Sequence, residues 1–455
     1  MNKRNLFSFV WLLALGTVFL PAQTKQAKKI GDFIESTSYN EHKRGAERTL
    51  QYYPEGDDFV CINGKNRFTR ALYGSWSPFR LETSDRPVFA AYDKRNSKHI
   101  RFLLQGKGLS VALDSIEFCE ARYTAGRRTY LLKDAALGKG TLSVSVLVFP
   151  DADGAVWKFS AKDLAEDMVL RCFISEIRAK KLSRNGDMGA DPPGCFEAPE
   201  KPQMQKVYDL PLTDEAYLVL ENLDLKLVSL DEGRRLYQKA EDARKVLASR
   251  IRFTTPDPYF NTLGGALAVA ADGIWDGQVW LHGAVGWRMP LSGWRAAYTG
   301  DALDGTTCRK HFDAYAASQV TDVPNTIPHP AQDSALHLAR SVQKWGTPQY
   351  SNGYICRNPR RNNQMHHYDM NLCYIDELLW HFNWTGDWEY ARQMWPVITR
   401  HLAWEKLNYD PDNDGLYDAY ACIWASDALY YNSGAVTHSS AYNYRANKDG
   451  CGNSP

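Results

Sequence analysis

The sequence has 455 residues, 44% hydrophobic and 24% charged, which excludes a disordered chain, a collagen and a simple coiled coil. At ~150 residues per domain, this length predicts two or three domains. Lys plus Arg number 54 and Asp plus Glu number 53, so no whole-chain attraction to nucleic acid or an anionic membrane is expected. The nine cysteines include no CxxC pair, which excludes a zinc ribbon and a thioredoxin motif.

Residues 1–23 have the pattern of a secretory signal peptide. Lys3 and Arg4 precede an apolar stretch, Leu6 to Leu20, and Ala22 lies near a plausible cleavage point. The stretch is short for a membrane span, which needs ~20 residues, although an uncleaved N-terminal anchor is the alternative. We therefore expect a secreted or periplasmic protein whose mature chain has no membrane span.

The two halves of the chain differ in composition, which predicts a domain boundary near residue 250. Eleven of the 14 Trp and nine of the 11 His follow that residue. Before it, short apolar runs alternate with Gly and Asp turns, a pattern typical of a β-sandwich over residues 30–231. One such pair of runs, at 115–133, reads as a hairpin with Ala125 and Gly126 at its turn. Residues 232–250 are charged and favour a linker helix, with an ordinary surface helix as the alternative.

After residue 250 the apolar residues recur at helical spacing. Pro396 should kink the last helix or mark a start within it. Thr299-Gly300-Asp301 and Thr385-Gly386-Asp387 suggest an internal repeat in which each Asp caps a following helix, unless the echo is coincidence. The predicted helices cover 259–274, 302–318, 332–344, 370–382 and 387–407.

Three segments of this half carry a resemblance to the six-hairpin glycosidase superfamily, which includes glucoamylases, trehalases and α-L-rhamnosidases. Residues 271–298 resemble its first hairpin and sugar-facing loop, residues 366–387 a middle helix with a Thr-Gly-Asp turn, and residues 409–427 an Asp-x-Asp-Gly-Leu turn. The likeness is to secreted members from gut Bacteroidota. The resemblance implies an N-terminal β-sandwich, a linker helix and an (α/α)6 toroid over 251–455. The family toroid has twelve helices and this region holds six or seven, so we expect an incomplete barrel, with an inactive chain as the alternative to an active one.

The resemblance also implies glycoside hydrolysis by two carboxylates, an acid that protonates the leaving oxygen and a base that activates water. Asp427, beside Trp424, is the first candidate for the general acid, and capping of the next helix is its alternative role. Asp418 is the second candidate and could equally close the preceding turn. The family base comes from later hairpins, so no base is named.

Aromatic, His and Arg side chains suit sugar binding, because rings stack on sugar CH groups and the nitrogen donors bond hydroxyls. For any single Trp, burial in the barrel core is the competing explanation. Neighbouring His residues on one helix point in different directions, so we expect no zinc site and no cofactor. The candidate substrate-binding residues are Trp280, His282, Trp287, Arg288, Trp294, Arg295, His366, His367 and Asp369.

Asp410, Asp412, Asp414 and Gly415 begin like a calcium loop, but Ala421 stands where that loop needs a bidentate Glu. A tight turn is therefore the better interpretation, and no metal is assigned. The favoured function is a secreted glycoside hydrolase that acts on a poly- or oligosaccharide. The alternatives are a non-catalytic glycan-binding remnant and a polysaccharide lyase on a related toroid.

Overall fold

The computed structural model describes residues 52–65, 68–74, 76–106, 108–165, 167–178, 193–292, 296–322, 350, 352–356, 358–360, 369–418, 435 and 437–452. The predicted signal peptide at 1–23 and the predicted helix at 332–344 lie outside these ranges. Within them the fold is mixed, with antiparallel sheets in the N-terminal part and helices in the C-terminal part.

Fifteen described strands form two antiparallel sheets. Sheet A has the order β1-β2-β8-β9-β10-β11-β14-β15, and sheet B has the order β13-β12-β6-β5-β4-β3 with β7 paired to β6. The predicted hairpin is confirmed, because Thr124 pairs with Arg127 across Ala125 and Gly126. The strands are β1 (Tyr53–Glu55), β2 (Asp58–Ile62), β3 (Phe68–Tyr73), β4 (Arg80–Ser84), β5 (Phe89–Tyr92), β6 (Ser97–Gly106), β7 (Leu109–Ala112), β8 (Phe118–Thr124), β9 (Arg127–Lys133), β10 (Thr141–Val148), β11 (Gly154–Lys162), β12 (Val169–Ser175), β13 (Lys206–Pro211), β14 (Glu215–Glu221) and β15 (Asp224–Leu227).

The two sheets pack face to face around one apolar core. Phe89 of sheet B meets Tyr130 and Trp157 of sheet A edge-on, with ring centroids 5.9 and 5.4 Å apart. Alternate residues of β10, such as Val144 and Val146, are buried in this core. Full burial of a side chain of this size stabilises the fold by about 1.5–3 kcal/mol, so the alternation fixes which face of each strand turns inward.

A helix, α1 (Leu230–Ala248), lies where the sequence predicts one, and it covers part of the outer face of sheet A. Ser229 caps its start by accepting a hydrogen bond from the Glu232 backbone N–H at 3.2 Å. Ala240 packs with Val156, Tyr217 and Val219 in a second apolar cluster. Sheet A is therefore buried on both faces where α1 covers it, which explains why β14 is nearly all apolar instead of alternating.

The helical part follows α1. The other described helices are α2 (Pro258–Asn261), α3 (Leu263–Gly273), α4 (Ala296–Leu303), α5 (Gly305–Ala316), α6 (Asp369–Thr385), α7 (Trp388–Tyr409) and α8 (Thr437–Gly452). Pro396 does not mark a start, because α7 runs through it without a break. Among the described residues, no helix combines the length and the apolar character that crossing a bilayer requires.

The expected equivalence of the two Thr-Gly-Asp turns is wrong. Asp387 caps α7 through the Tyr390 backbone N–H at 3.0 Å, as predicted. Asp301 instead lies inside α4, and Asp304 caps α5 through the Thr306 N–H at 3.0 Å. The tripeptide alone cannot distinguish the sites, since a second Asp three residues later offers the better cap.

Seven cysteines whose side chains the structure describes are buried, namely Cys61, Cys119, Cys172, Cys195, Cys308, Cys356 and Cys373. Burial raises the pKa of the Cys119 thiol to about 12, so this group stays protonated at neutral pH.

Candidate functional site

The loop that leads from α3 toward α4, residues 274–290, is called the junction loop here because it lies between the helices and sheet B. Two backbone bridges close it, Trp275 with Trp280 and Leu281 with Pro290. The Leu281 N–H donates to the Ile274 carbonyl at 2.9 Å. The loop therefore has a fixed course, which is what a binding surface built on a loop requires.

Trp280 lies at the base of the junction loop with only 3% of its surface exposed. Its backbone N–H donates to Nδ1 of His311 at 3.2 Å, and its ring lies 5.1 Å from that of Trp275. Burial lowers the pKa of His311 to about 3, so the imidazole is neutral and can accept this bond. In this position Trp280 packs in the helical core, and its substrate-binding role stays a prediction.

His282 and Arg288 lie together at the outer turn of the junction loop, and both are half-buried. Nδ1 of His282 donates to the Met289 carbonyl at 2.8 Å, because a carbonyl oxygen can only accept a hydrogen bond. The Arg288 stem crosses Gly283, where a Cβ would come within 2.5 Å of the Arg288 Cγ. The turn thus carries both an imidazole and a guanidinium, two groups suited to bonding hydroxyls.

Trp287 joins the junction loop to sheet B. Its ring lies edge-on to Tyr92 at 6.4 Å, and the Arg80 guanidinium lies 5.6 Å from the ring centroid. The loop approaches the connection between β3 and β4 closely at Gly286. This residue has φ +85°, and a Cβ there would meet the Pro78 Cβ at 2.6 Å. The ring is half-buried against Tyr92 and Phe196, so its contacts bind the two parts of the chain together.

Arg80 and Glu82, beneath Trp287, form a buried ion pair that the sequence analysis missed. Burial by itself would lower the pKa of Arg80, but the Glu82 carboxylate, Tyr73 and Tyr92 together outweigh it and the pKa is raised. Both residues are at most 2% exposed. Their sequence signal is two opposite charges at alternate positions of one strand, which usually indicates a solvated face.

Asp418 lies on a separate element, the acidic loop at residues 410–418. Its backbone N–H donates to the Tyr409 carbonyl at 2.6 Å, and it bridges to Ala435. The pKa of its carboxyl is raised, first by burial and then by Asp412, Asp414 and Asp410. A raised pKa extends the pH range over which a carboxyl stays protonated, which is the direction that a general acid needs.

The acidic loop also carries the turn bonds that the sequence predicts. Asp410 Oδ1 accepts from the Gly415 N–H at 3.2 Å, and Asp414 Oδ1 accepts from the Leu416 N–H at 2.7 Å. Oxygens of Asp410, Asp412 and Asp414 lie within 4.8 Å of one another. These turn bonds account for the spacing of the carboxylates by local backbone geometry.

A buried cluster of Asp301, Cys308 and His381 joins α4, α5 and α6. Nδ1 of His381 lies 2.5 Å from Oδ1 of Asp301. Burial, and secondly the Asp301 charge, raises the pKa of Cys308, so its sulfur is a thiol at neutral pH. One possible ligand atom from each of the three residues lies within 4.8 Å of the others, and the contact between His381 and Asp301 joins α4 to α6 in the core.

The structure thus brings His282, Trp287 and Arg288 together on the junction loop and sets Asp418 on another loop. Asp369 is the first residue of α6, and its side chain is outside the described part. The candidates that lie outside the described residues are Asp427, Trp294, Arg295, His366 and His367.

Comparison with known proteins gives matches to a family model and to solved structures. A family model described as a domain of unknown function (DUF4450) matches residues 96–218, less than half of the chain. The crystal structure of a bacterial glucoamylase complexed with acarbose is similar over 86% of this chain and 70% of that chain, with 8% identity and a TM-score of 0.40. That score is below the level at which two chains share a fold. No curated protein matches this sequence.

Proposed function

We propose that the chain is a secreted glycoside hydrolase of the six-hairpin type, which cleaves O-glycosidic bonds in a poly- or oligosaccharide. One observation carries the proposal. The junction loop presents His282 and Arg288 at a fixed turn next to the half-buried ring of Trp287, where sheet B meets the helices. Such a combination of nitrogen donors and an aromatic face suits the hydroxyls and the CH groups of a sugar.

The proposed division of the chain supports this assignment. A signal peptide at 1–23 would direct export, a sandwich would span 30–231 and the linker helix 232–250. The catalytic toroid would occupy 251–455, where the motifs of the resemblance lie. Trp280, Trp294, Arg295, His366, His367 and Asp369 belong to the same proposed sugar-binding set.

The proposed chemistry needs a protonated carboxyl on the leaving-group side of the scissile bond. Asp427 is the first candidate on its sequence context, and Asp418 is favoured by its raised pKa. In an inverting enzyme the base would lie about 6.5–9.5 Å from the acid, with room for water between them. The raised pKa would let the acid donate its proton at a pH where an ordinary Asp is ionised.

The test is sugar release by the full chain from starch, xylan, pectin and mixed-linkage β-glucan. Asp427→Asn and Asp418→Asn are compared with Asp153→Asn, an exposed carboxylate on the β10–β11 turn of the sandwich. Loss of the general acid should reduce turnover by about 10²–10⁴-fold, and the control should retain it. The assignment of the acid is wrong if both variants keep wild-type turnover.

The products separate the remaining functions. A product that absorbs in the ultraviolet would identify a lyase instead of a hydrolase. Binding of these glycans in calorimetry without release of reducing sugar would identify a non-catalytic binding protein. The absence of both glycan binding and sugar release would contradict a role with carbohydrates.

A further inference from the structure

A cavity of about 180 Å³ lies between the β3–β4 connection of the sandwich and the helical part. Trp76 lines it from the sandwich, and Trp275 and Trp280 line it from the base of the junction loop. It is distinct from the outer turn that carries His282 and Arg288. The cavity therefore has aromatic walls contributed by both parts of the chain.

Trp76 has two features that are unusual for a large apolar residue. Its side chain is 64% exposed, and its φ is +61°, in the left-handed region that Trp rarely adopts. Strained backbone of this kind persists where the surrounding structure imposes it and occurs preferentially at ligand sites. The Gly74 N–H donates to the Phe79 carbonyl at 3.1 Å, and Pro78 packs on Gly286, so the connection is held at both ends.

The charged groups of the cavity are balanced. Arg250 and Lys310 contribute two cations, and Asp272 and Asp304 contribute two carboxylates. The pKa of Asp304 is lowered, first by the hydrogen bond from Thr307, so it is ionised. A charged ligand would be attracted by the two groups of opposite charge and repelled by the two groups of like charge. A neutral hydroxylated ligand can form hydrogen bonds with the cations and with the carboxylates.

From these observations we infer that the cavity is a subsite for one neutral sugar ring, with Trp76 stacked on its CH face. A cavity of about 180 Å³ is smaller than the ~300–1,000 Å³ typical of sites for drug-sized ligands, so a single ring is the size of ligand that it suits. The choice of sugar as the ligand class rests on the proposed function. The new element is that the sandwich supplies a binding residue.

The test measures binding of D-glucose, D-galactose, L-rhamnose and D-xylose to the full chain by calorimetry and saturation-transfer NMR. Trp76→Gly removes the ring and keeps the connection, because Gly adopts φ near +60° without strain. Trp384→Ala is the matched control, since Trp384 is 59% exposed and lies elsewhere, on α6. We expect Trp76→Gly to weaken binding of at least one sugar about tenfold or more, and Trp384→Ala to leave it unchanged.

Equal affinity of Trp76→Gly and wild type would overturn the subsite, as would no saturable binding of the four sugars to the wild type. The result of this binding test can be distinguished from the result of the hydrolase assay. Sugar binding that depends on Trp76, without sugar release from any polysaccharide, supports the subsite while rejecting hydrolysis. Sugar release with a Trp76→Gly affinity equal to wild type supports hydrolysis while rejecting the subsite.

Discussion

Asp418 is the described candidate whose surroundings most change its chemistry. Its carboxyl is partly buried, and three further carboxylates of the acidic loop face it. Both effects disfavour the charged form, so the folded chain holds this proton more tightly than the unfolded chain does. The consequence reaches beyond catalysis, because a difference in proton affinity between the two states makes stability depend on pH.

We predict that Asp418→Asn raises the melting temperature at neutral pH. In the wild type, the folded-state pKa lies above the ordinary value of 3.8. Ionisation of Asp418 therefore lowers the stability of the folded state as the pH rises from the ordinary pKa to the folded-state pKa. Above the folded-state pKa the full destabilisation is present. Below pH 3.8 both states are protonated, so the difference between variant and wild type should vanish.

The measurement is thermal unfolding by circular dichroism across this pH range. Asp153→Asn, an exposed carboxylate on the β10–β11 turn, is the control and should show no such dependence. If Asp418→Asn is less stable than wild type at neutral pH, the prediction is wrong, because the Asp418 charge is then stabilised by its surroundings.

At the scale of elements, α1 holds its place because a glycine lets it lie directly on sheet A. A Cβ at Gly233 would come 2.3 Å from the Cβ of Tyr217 in β14. Helix propensity favours Ala over Gly by about 1 kcal/mol in a helix interior, but overpacking costs about 1–3 kcal/mol. The contact, and not the propensity, therefore decides which residue suits this position.

We predict that Gly233→Ala lowers the free energy of unfolding by about 1–3 kcal/mol. Gly305→Ala is the matched control, because Gly305 begins α5 and a Cβ there meets nothing within 4 Å. That variant should be neutral or more stable by up to about 1 kcal/mol. Urea unfolding of both measures the difference, and equal stability of the two variants would rule out close packing of α1 on Tyr217.

At the scale of the whole molecule, Trp287 is the residue through which the junction loop of the helical part packs against the sandwich. Its ring packs with Tyr92, Phe196 and the Arg80–Glu82 pair on the outer face of sheet B. The pair also depends on this cover, since exposure to water would weaken the attraction between the two charges. The same ring thus fixes the junction loop and shields a buried ion pair.

We predict that Trp287→Ala loosens the junction between the two parts and lowers the free energy of unfolding by about 2–3 kcal/mol. This is less than the ~3–5 kcal/mol expected for a fully buried Trp, because the ring is half-buried. Limited proteolysis should then cut between the sandwich and the helices sooner than in the wild type. Trp384→Ala, at an exposed ring, should stay within about 0.5 kcal/mol of wild type, and equal protease resistance of the two variants would contradict the prediction.

Local patterns in the sequence determined much of this architecture. Alternation of apolar residues placed β10, and the Ala125-Gly126 turn placed the β8–β9 hairpin, because both depend on neighbours along the chain. The charged run at 232–249 placed α1 to within two residues. His282, Trp287 and Arg288 could be grouped in advance because one short loop carries all three.

Only the tertiary structure decided how distant residues meet. It placed Asp301 inside a helix against His381, and it buried Trp280 in the core while leaving Trp76 exposed at a cavity. It also set Arg80 and Glu82 beneath a ring more than 200 residues away in the sequence. Residue type and spacing describe the local backbone, whereas burial, pKa and pairing depend on which other elements cover a side chain.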